Sequence, residues 1–185
     1  DAARLRRVMA SKVDGAWLLH QLTFHQELDL SVLFSSATSV LGAPGQANYA
    51  AANAFLDGLA HYRRRQGLPA LAINWGAWAE VGMAARPEPA AQLARQGILA
   101  FPPQLGLALL ERCLDVPHVQ MTALQADWPL LCSRLQIPLL RHMAAEADGT
   151  AVKANNTAAA LATRLQGLGP AERRTAVADL LSQQL

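Results

Sequence analysis

Tyr49 and Asn53 stand four residues apart in the run QANYAAANAFLDGLAHYRRR. On a helix that spacing stacks a phenol and an amide one turn apart on a single face. Their neighbours are mostly alanine, so another molecule can approach that face closely. Upstream, the apolar run VLFSS ends in Ser35 and Ser36, which places hydroxyls at the end of a strand. In open α/β sheets, ligands sit beyond the carboxyl ends of the strands. A serine there and a tyrosine on the following helix can converge on one carbonyl oxygen, the first holding it and the second protonating it. A plainer reading stays open at this point: Ser35 and Ser36 satisfy a turn, and Tyr49 is a half-buried packing residue.

Lys12 shifts that balance. In the run DAARLRRVMASKVDGAWLLH, Leu5, Val8, Met9, Ala16 and Leu19 mark an apolar stripe, and Lys12 falls inside it. The chain has only two lysines among its 16 basic residues, so arginine is its general cation. An ammonium on an inner face costs desolvation unless it is paired or used, or unless it snorkels to the helix edge. Beside a phenol it favours the ionised form, which is what a proton donor working near neutral pH requires.

The elements that must position these residues can be read from periodicity and punctuation. Residues 2 to 22 form an amphipathic helix with Arg4, Arg7, Ser11 and Asp14 on the wet side. LDLSVLFSS is a short buried strand of the parallel kind. A long helix over residues 46 to 66 follows and stops at Gly67. LPALAINWG is a second buried strand, PPQLGLALLERCL a helix opened by proline, and HVQMTALQADW a weaker third strand. The alternation predicts an α/β fold with a parallel sheet and right-handed crossovers. From about residue 144, AAEADGTAVKANNTA is small, polar and aperiodic, as a linker is. It leads into a helical tail containing Gly169-Pro170.

Composition narrows the function classes. The 185 residues are 52% hydrophobic and 16% charged, which fits a globular chain with a substantial core. A net charge of +2 argues against a nucleic-acid or anionic-membrane partner. No apolar run is long enough to span a bilayer, and no leader is visible, so a reducing cytoplasm is expected. Cys113 and Cys132 have no metal or redox spacing, and the five histidines (20, 25, 61, 118 and 142) form no ligand pair, so no metal site is expected. His20 and His25 are expected at the surface or the edge of the core. Arg63, Arg64 and Arg65 read as a solvated helix end that complements the helix dipole.

Lys12 in ASKVDGAWLLH, Ser36 in VLFSSATSVLG, and Tyr49 with Asn53 in GQANYAAANAFLDGLAHYRR resemble the ketoreductase domains of modular polyketide synthases, members of the short-chain dehydrogenase/reductase superfamily. LPALAINWGAWAEVGMA resembles the strand and nicotinamide-side loop of that family, and ALQADWPLL its last strand. The superfamily's usual Tyr-x-x-x-Lys is here Tyr49 and Asn53 with the lysine supplied from upstream, an exchange typical of these ketoreductases. The resemblance covers residues 1–143 and implies the C-terminal half of a Rossmann-like, doubly wound parallel sheet. Residues 144–157 are then a linker, and 158–185 resemble the start of an acyl carrier protein.

What the resemblance implies is NADPH-dependent reduction of a β-ketoacyl thioester. Ser36 would hold the β-oxygen, Tyr49 would protonate it, Lys12 would assist Tyr49, and Asn53 would orient a water or Lys12 in a proton relay. Lys12, Tyr49, Trp75, Gly76 and Val81 would meet the cofactor. Leu41, Gln46, Gly82 and Met83 would meet the substrate, with Leu41 standing where one stereochemical class carries tryptophan. For Trp75 and Trp78, core packing is nearly as good a reading. The partners implied are an acyl carrier protein bearing a phosphopantetheine-bound substrate and the other domains of the same synthase. No Gly-x-Gly-x-x-Gly follows a strand, so the expectation is a catalytic half that does not turn over alone. A fatty-acid-synthase or free-standing reductase, and a non-catalytic scaffold that positions carriers, are the competing readings.

Overall fold

A computed structural model of the chain describes residues 2–80, 86–135, 137, 139 and 140. The chain divides into two compact units, Asp1–Ile137 and Pro138–Leu185. Of the second, only residues 139 and 140 are described, both helical. The expected linker, carrier-like segment and helical tail (144–185) therefore lie outside the described residues.

The first unit is a parallel α/β arrangement, as the alternation predicts. In chain order its elements are α1 (Ala2–Leu22), β1 (Val32–Ser36), α2 (Thr38–Leu41), α3 (Ala47–Arg65), β2 (Leu71–Trp75), α4 (Pro87–Arg95), β3 (Ile98–Leu99), α5 (Pro103–Leu114), β4 (Gln120–Ala123), β5 (Gln125–Ala126) and α6 (Trp128–Arg134). The main sheet has the order β1-β2-β4, all parallel, with Ser36 opposite Trp75 and Trp75 opposite Ala123. The three strands thus end together, forming one carboxyl rim. The expected third strand is split: residues up to Ala123 join the parallel sheet, whereas Gln125–Ala126 pairs antiparallel with Ile98–Leu99.

Side chains alternate across the sheet, as strand geometry requires. On one face Leu71, Ile73 and Trp75 pack with Ala123, Phe101 and Cys113, supported by Leu109 and Leu110 of α5. On the other, Leu33, Ala70 and Ala72 meet Ala60 of α3, while Leu56 and Leu59 of the same helix pack on Ala16 of α1. Helices therefore cover both faces. The small residues Ala60 and Ala72 are fully buried and let α3 lie close to the sheet. On the opposite face Gly106 serves the same end, because a Cβ there would lie 2.3 Å from the Trp78 ring.

Two sequence expectations are corrected. The inner stripe of α1 runs through Met9, Lys12, Val13, Ala16 and His20, whereas Leu19 is 63% exposed beside exposed Trp17, Leu18 and Leu22. Apolar residues occur on several sides of this helix, so composition alone did not select the buried one. The arginine run is not a uniform solvated end either. Arg63 is buried, donating through Nε to the Pro69 carbonyl at 3.2 Å and lying 3.2 Å from His20 Nδ1, while Arg64 and Arg65 are exposed. His20 is buried against Tyr62, Trp17 and Phe24, and His25 is exposed.

Candidate active site

β1 brings Ser36 to the carboxyl rim, where it is buried. The chain turns at once into α2, and the Ser36 hydroxyl accepts from the Thr38 backbone N–H at 3.3 Å and from the Thr38 hydroxyl at 3.0 Å. This is the short side-chain-to-backbone turn that serines favour. Thr38 thus holds the Ser36 hydroxyl in place at the carboxyl rim.

Gly42 and Gly45, at φ of 75° and 74°, carry the loop between α2 and α3 through left-handed turns. That loop delivers Tyr49 in the first turn of α3, half-buried, with its N–H capped by the Asn48 side chain at 2.9 Å. Asn53 lies one turn on and is fully buried. Its Nδ2 donates to the Tyr49 carbonyl at 2.8 Å, which fixes the amide orientation and leaves Oδ1 buried without a partner. A buried acceptor of this kind carries a desolvation penalty unless something donates to it.

Lys12 reaches this corner from α1. Its Nζ donates to the Phe34 carbonyl at 2.9 Å and lies 5.9 Å from the centroid of the Tyr49 ring, within range of a cation–π contact. Burial pushes the Lys12 ammonium below its usual pKa, and the negative charge of Asp57 opposes that shift. Lys12, Tyr49 and Asn53 thus lie on the face of the sheet covered by α1 and α3, beside the strand that ends in Ser36.

The other expected contact residues are placed less uniformly. Leu41 ends α2 and is half-buried, and Gln46 is exposed just before α3. Trp75 ends β2 with its indole in the opposite core, 5.0 Å from Trp78, and its Nε1 is buried without a partner. Gly76 follows at the rim and donates to the Ala123 carbonyl at 2.8 Å, and a Cβ there would come within 3.1 Å of that oxygen. Val81, Gly82 and Met83 lie outside the described residues.

Sequence reasoning missed a buried polar cluster beneath these residues. Asn74 Nδ2 lies 2.8 Å and 2.9 Å from the two carboxyl oxygens of Asp57, 2.8 Å from Ser39 Oγ and 3.0 Å from Ser35 Oγ. Ser39 donates to Asp57 at 2.7 Å, and Ser35 donates to the Asn53 carbonyl at 3.1 Å. Gln120 Nε2 donates to Asn74 Oδ1 at 3.0 Å, and its Oε1 lies 3.1 Å from His61 Nε2, which therefore carries the proton. The signal was available: Tyr49, Asn53 and Asp57 recur every four residues, and Asn74 interrupts an otherwise apolar strand.

Comparison with known proteins agrees with the α/β fold. Residues 1–80 match the KR domain. Polyketide synthase GfsE of Streptomyces halstedii is 44% identical over 184 residues, covering 96% of this chain and 5% of that protein. The spectinabilin polyketide synthase system protein NorB of Streptomyces orinoci is 45% identical over 189 residues, covering 98% of this chain and 9% of that protein. Among solved structures, an A1-type ketoreductase aligns with a TM-score of 0.71 at 41% identity, over 73% of this chain and 28% of that one. The first ketoreductase of the tylosin PKS aligns with a TM-score of 0.68 at 40% identity, over 74% of this chain and 30% of that one. The chain therefore spans less than a tenth of the two synthases and under a third of the two ketoreductases.

Proposed function

Because the chain carries part of a ketoreductase domain of the modular polyketide synthase family, we propose that it supplies the catalytic residues for NADPH-dependent reduction of a carrier-bound β-ketoacyl thioester to the β-hydroxyacyl thioester. The observation that carries this reading is the placement of Lys12. An ammonium drawn onto the inner face of α1, 5.9 Å from the Tyr49 ring and bonded to the strand that ends in Ser36, sits where a proton-transfer site needs it.

The groups divide the work by their free valences. The Ser36 hydroxyl, held at the rim by Thr38, donates to the β-keto oxygen as negative charge grows there. Such preorganised donation is worth about 3 kcal/mol in acyl-transfer enzymes. Tyr49 gives its phenolic proton to that oxygen. Lys12 stabilises the phenolate left behind, and Asn53 Oδ1, which lacks a partner, accepts from a water or from Lys12 in the relay that restores the proton.

The reactive end of a nicotinamide cofactor suits this rim, since Asn53 Oδ1 is a buried acceptor without a partner among the described residues. NADPH, when bound, supplies the hydride. We assign Trp75, Gly76 and Val81, with Lys12 and Tyr49, to its nicotinamide side, and Leu41, Gln46, Gly82 and Met83 to the substrate. The same reading makes residues 1–143 the reductase portion and 144–157 a linker. Residues 158–185 become the start of an acyl carrier domain, whose phosphopantetheine arm would deliver the substrate within a cytoplasmic synthase. That the relatives are polyketide synthases favours this pathway over a fatty-acid synthase.

The test is reduction of a β-ketoacyl thioester by the full-length polypeptide containing this chain, followed by loss of reduced-nicotinamide absorbance and by chromatography of the alcohol. NADPH consumption matched by β-hydroxyacyl product is expected. Absence of product, with the protein folded and NADPH bound, would leave the scaffold reading in its place.

A further inference from the structure

The buried cluster centred on Asp57 belongs to none of the roles assigned above, yet it touches the backbone of two of the proposed catalytic residues. Ser39 Oγ lies 2.8 Å from the Ser36 carbonyl as well as 2.7 Å from Asp57 Oδ2. Ser35 Oγ takes a hydrogen bond from Asn74 and passes its own proton to the Asn53 carbonyl. Asp57 also lies one turn beyond Asn53 on the same face of α3. Three elements, α2, α3 and β2, thus meet at one buried carboxyl group, and β1 joins them through the Ser35–Asn74 hydrogen bond.

We propose that Asp57 is a positioning residue for the reductase site: by accepting from Asn74 and Ser39 together, it locks the β1 rim to α3 and so fixes Ser36 relative to Tyr49 and Asn53. This inference rests on the ketoreductase reading of the site.

The chemistry of the cluster supports a designed donor–acceptor order. Asp57 accepts on both oxygens, and every described neighbour within hydrogen-bond distance can donate to it. Asn74 has two N–H protons for four nearby acceptors. One serves the carboxyl group and the other the two hydroxyls, so Ser35 gives its own proton to the Asn53 carbonyl and Ser39 shares its single proton between Asp57 Oδ2 and the Ser36 carbonyl. Asn74 Oδ1 is held by Gln120, which prevents the amide from turning over. Removing the acceptor at the centre would strand buried donors, and such groups make their neighbours move. Asp57 is also the charge that supports the Lys12 ammonium against its burial. Among the described residues Lys12 meets the Tyr49 ring of α3 and the Phe34 carbonyl of β1, and it feels the negative charge of Asp57.

The experiment compares wild type with Asp57→Asn, Ser39→Ala and the exchange variant Asp57→Asn/Asn74→Asp in the full-length polypeptide, all checked for native circular dichroism. Asp57→Asn is expected to lower kcat on the order of 10–10²-fold, the cost of misplaced reacting groups, with the KM for NADPH unchanged. The exchange variant, which restores one carboxylate facing one amide, is expected to recover a substantial part of that loss. A second readout does not depend on activity. The rate of Lys12 modification by an amine-selective reagent, followed by peptide mass spectrometry across pH, is expected to show Lys12 losing its proton at lower pH in Asp57→Asn. Should Asp57→Asn fail to fold, Ser39→Ala must show the same kcat-selective loss in smaller measure. Unchanged kcat and unchanged Lys12 titration in a folded variant would overturn the proposal, as would an exchange variant no better than Asp57→Asn. A wild-type protein that makes no alcohol would instead overturn the ketoreductase reading, and the Lys12 titration would still report on the Asp57 contact.

Discussion

The Lys12 ammonium donates to the Phe34 carbonyl at 2.9 Å, tying the first helix to the strand that ends, two residues later, in Ser36. A lysine is well suited to this task because its flexible stem can follow the helix surface while its head keeps three donors. One goes to the strand, and the others are available for the proposed proton relay. Lys12 reaches Tyr49 from an upstream helix because α1 packs directly on α3.

Tyr49→Phe follows directly from the proposed division of labour. The ring, and with it the contact to Lys12, is retained, while the proton donor is removed. In the full-length polypeptide kcat for β-ketoacyl thioester reduction should fall by about 10²–10⁴-fold, with the dissociation constant for NADPH little changed. Rapid-mixing turnover and a separate cofactor titration distinguish the two. A variant with wild-type turnover would remove Tyr49 from its role.

His20 makes the α1–α3 contact sensitive to acid. Burial pushes its imidazole below the usual value of 6.5, and the Arg63 guanidinium reinforces that shift. The folded state therefore resists a proton that the unfolded chain accepts. The resulting stability is complete above the unfolded value, is lost progressively as pH falls below about 6.5, and stops falling once the folded state is also protonated. Urea unfolding should show a midpoint that declines through this range, and His20→Gln, which cannot ionise, should flatten the decline. Equal slopes in the two proteins would show that other groups govern the acid response.

The main elements were legible because their periods are long and their punctuation is strong. α3 follows the apolar spacing and stops at Gly67, α1 is long enough to show its helical period, and β1 and β2 are short, mainly apolar runs. What escaped was short or depended on partners. α4 is only nine residues long and begins at Pro87 within a stretch rich in alanine and proline. β3 and β5 are two residues each and exist only by pairing with one another. α6 is seven residues long and begins where Asp127 caps the Leu130 N–H at 3.1 Å. At the site, Lys12, Ser36, Tyr49 and Asn53 could be found by residue type and spacing. Asp57 and Asn74 are 17 positions apart on different elements, and only the fold brings their side chains together.

Gly106 tests how tightly α5 is seated. A methyl group there would lie within 2.3–2.8 Å of three Trp78 ring carbons. Trp78 is itself wedged between Trp75 and Phe101, at centroid distances of 5.0 Å and 5.3 Å, and has little room to yield. Gly106→Ala should therefore destabilise this region by roughly 1–3 kcal/mol, the usual cost of overpacking. Faster hydrogen exchange in peptides covering residues 101–114 is the expected result. Unchanged protection would mean that the tryptophan can move aside.

The final prediction concerns cofactor affinity in the 185-residue chain taken by itself. The proposed site has groups for the reacting end of a nicotinamide cofactor, but the sequence contains no Gly-x-Gly-x-x-Gly after a strand. In Rossmann-like folds, affinity for the phosphates comes from backbone N–H groups at such a glycine-rich strand-to-helix turn. Without one, the contacts left for NADPH are those around the nicotinamide. β1 is also an edge of the described sheet, with Phe34 half-exposed along it, and an uncovered edge invites association between copies. The isolated chain should accordingly bind NADPH weakly, without saturation at micromolar concentrations, and should self-associate as its concentration rises. Titration followed by nicotinamide fluorescence, with light scattering recorded in parallel, measures both. Saturable micromolar binding by the monomeric chain would mean that this sequence builds its phosphate site from residues other than a glycine-rich turn.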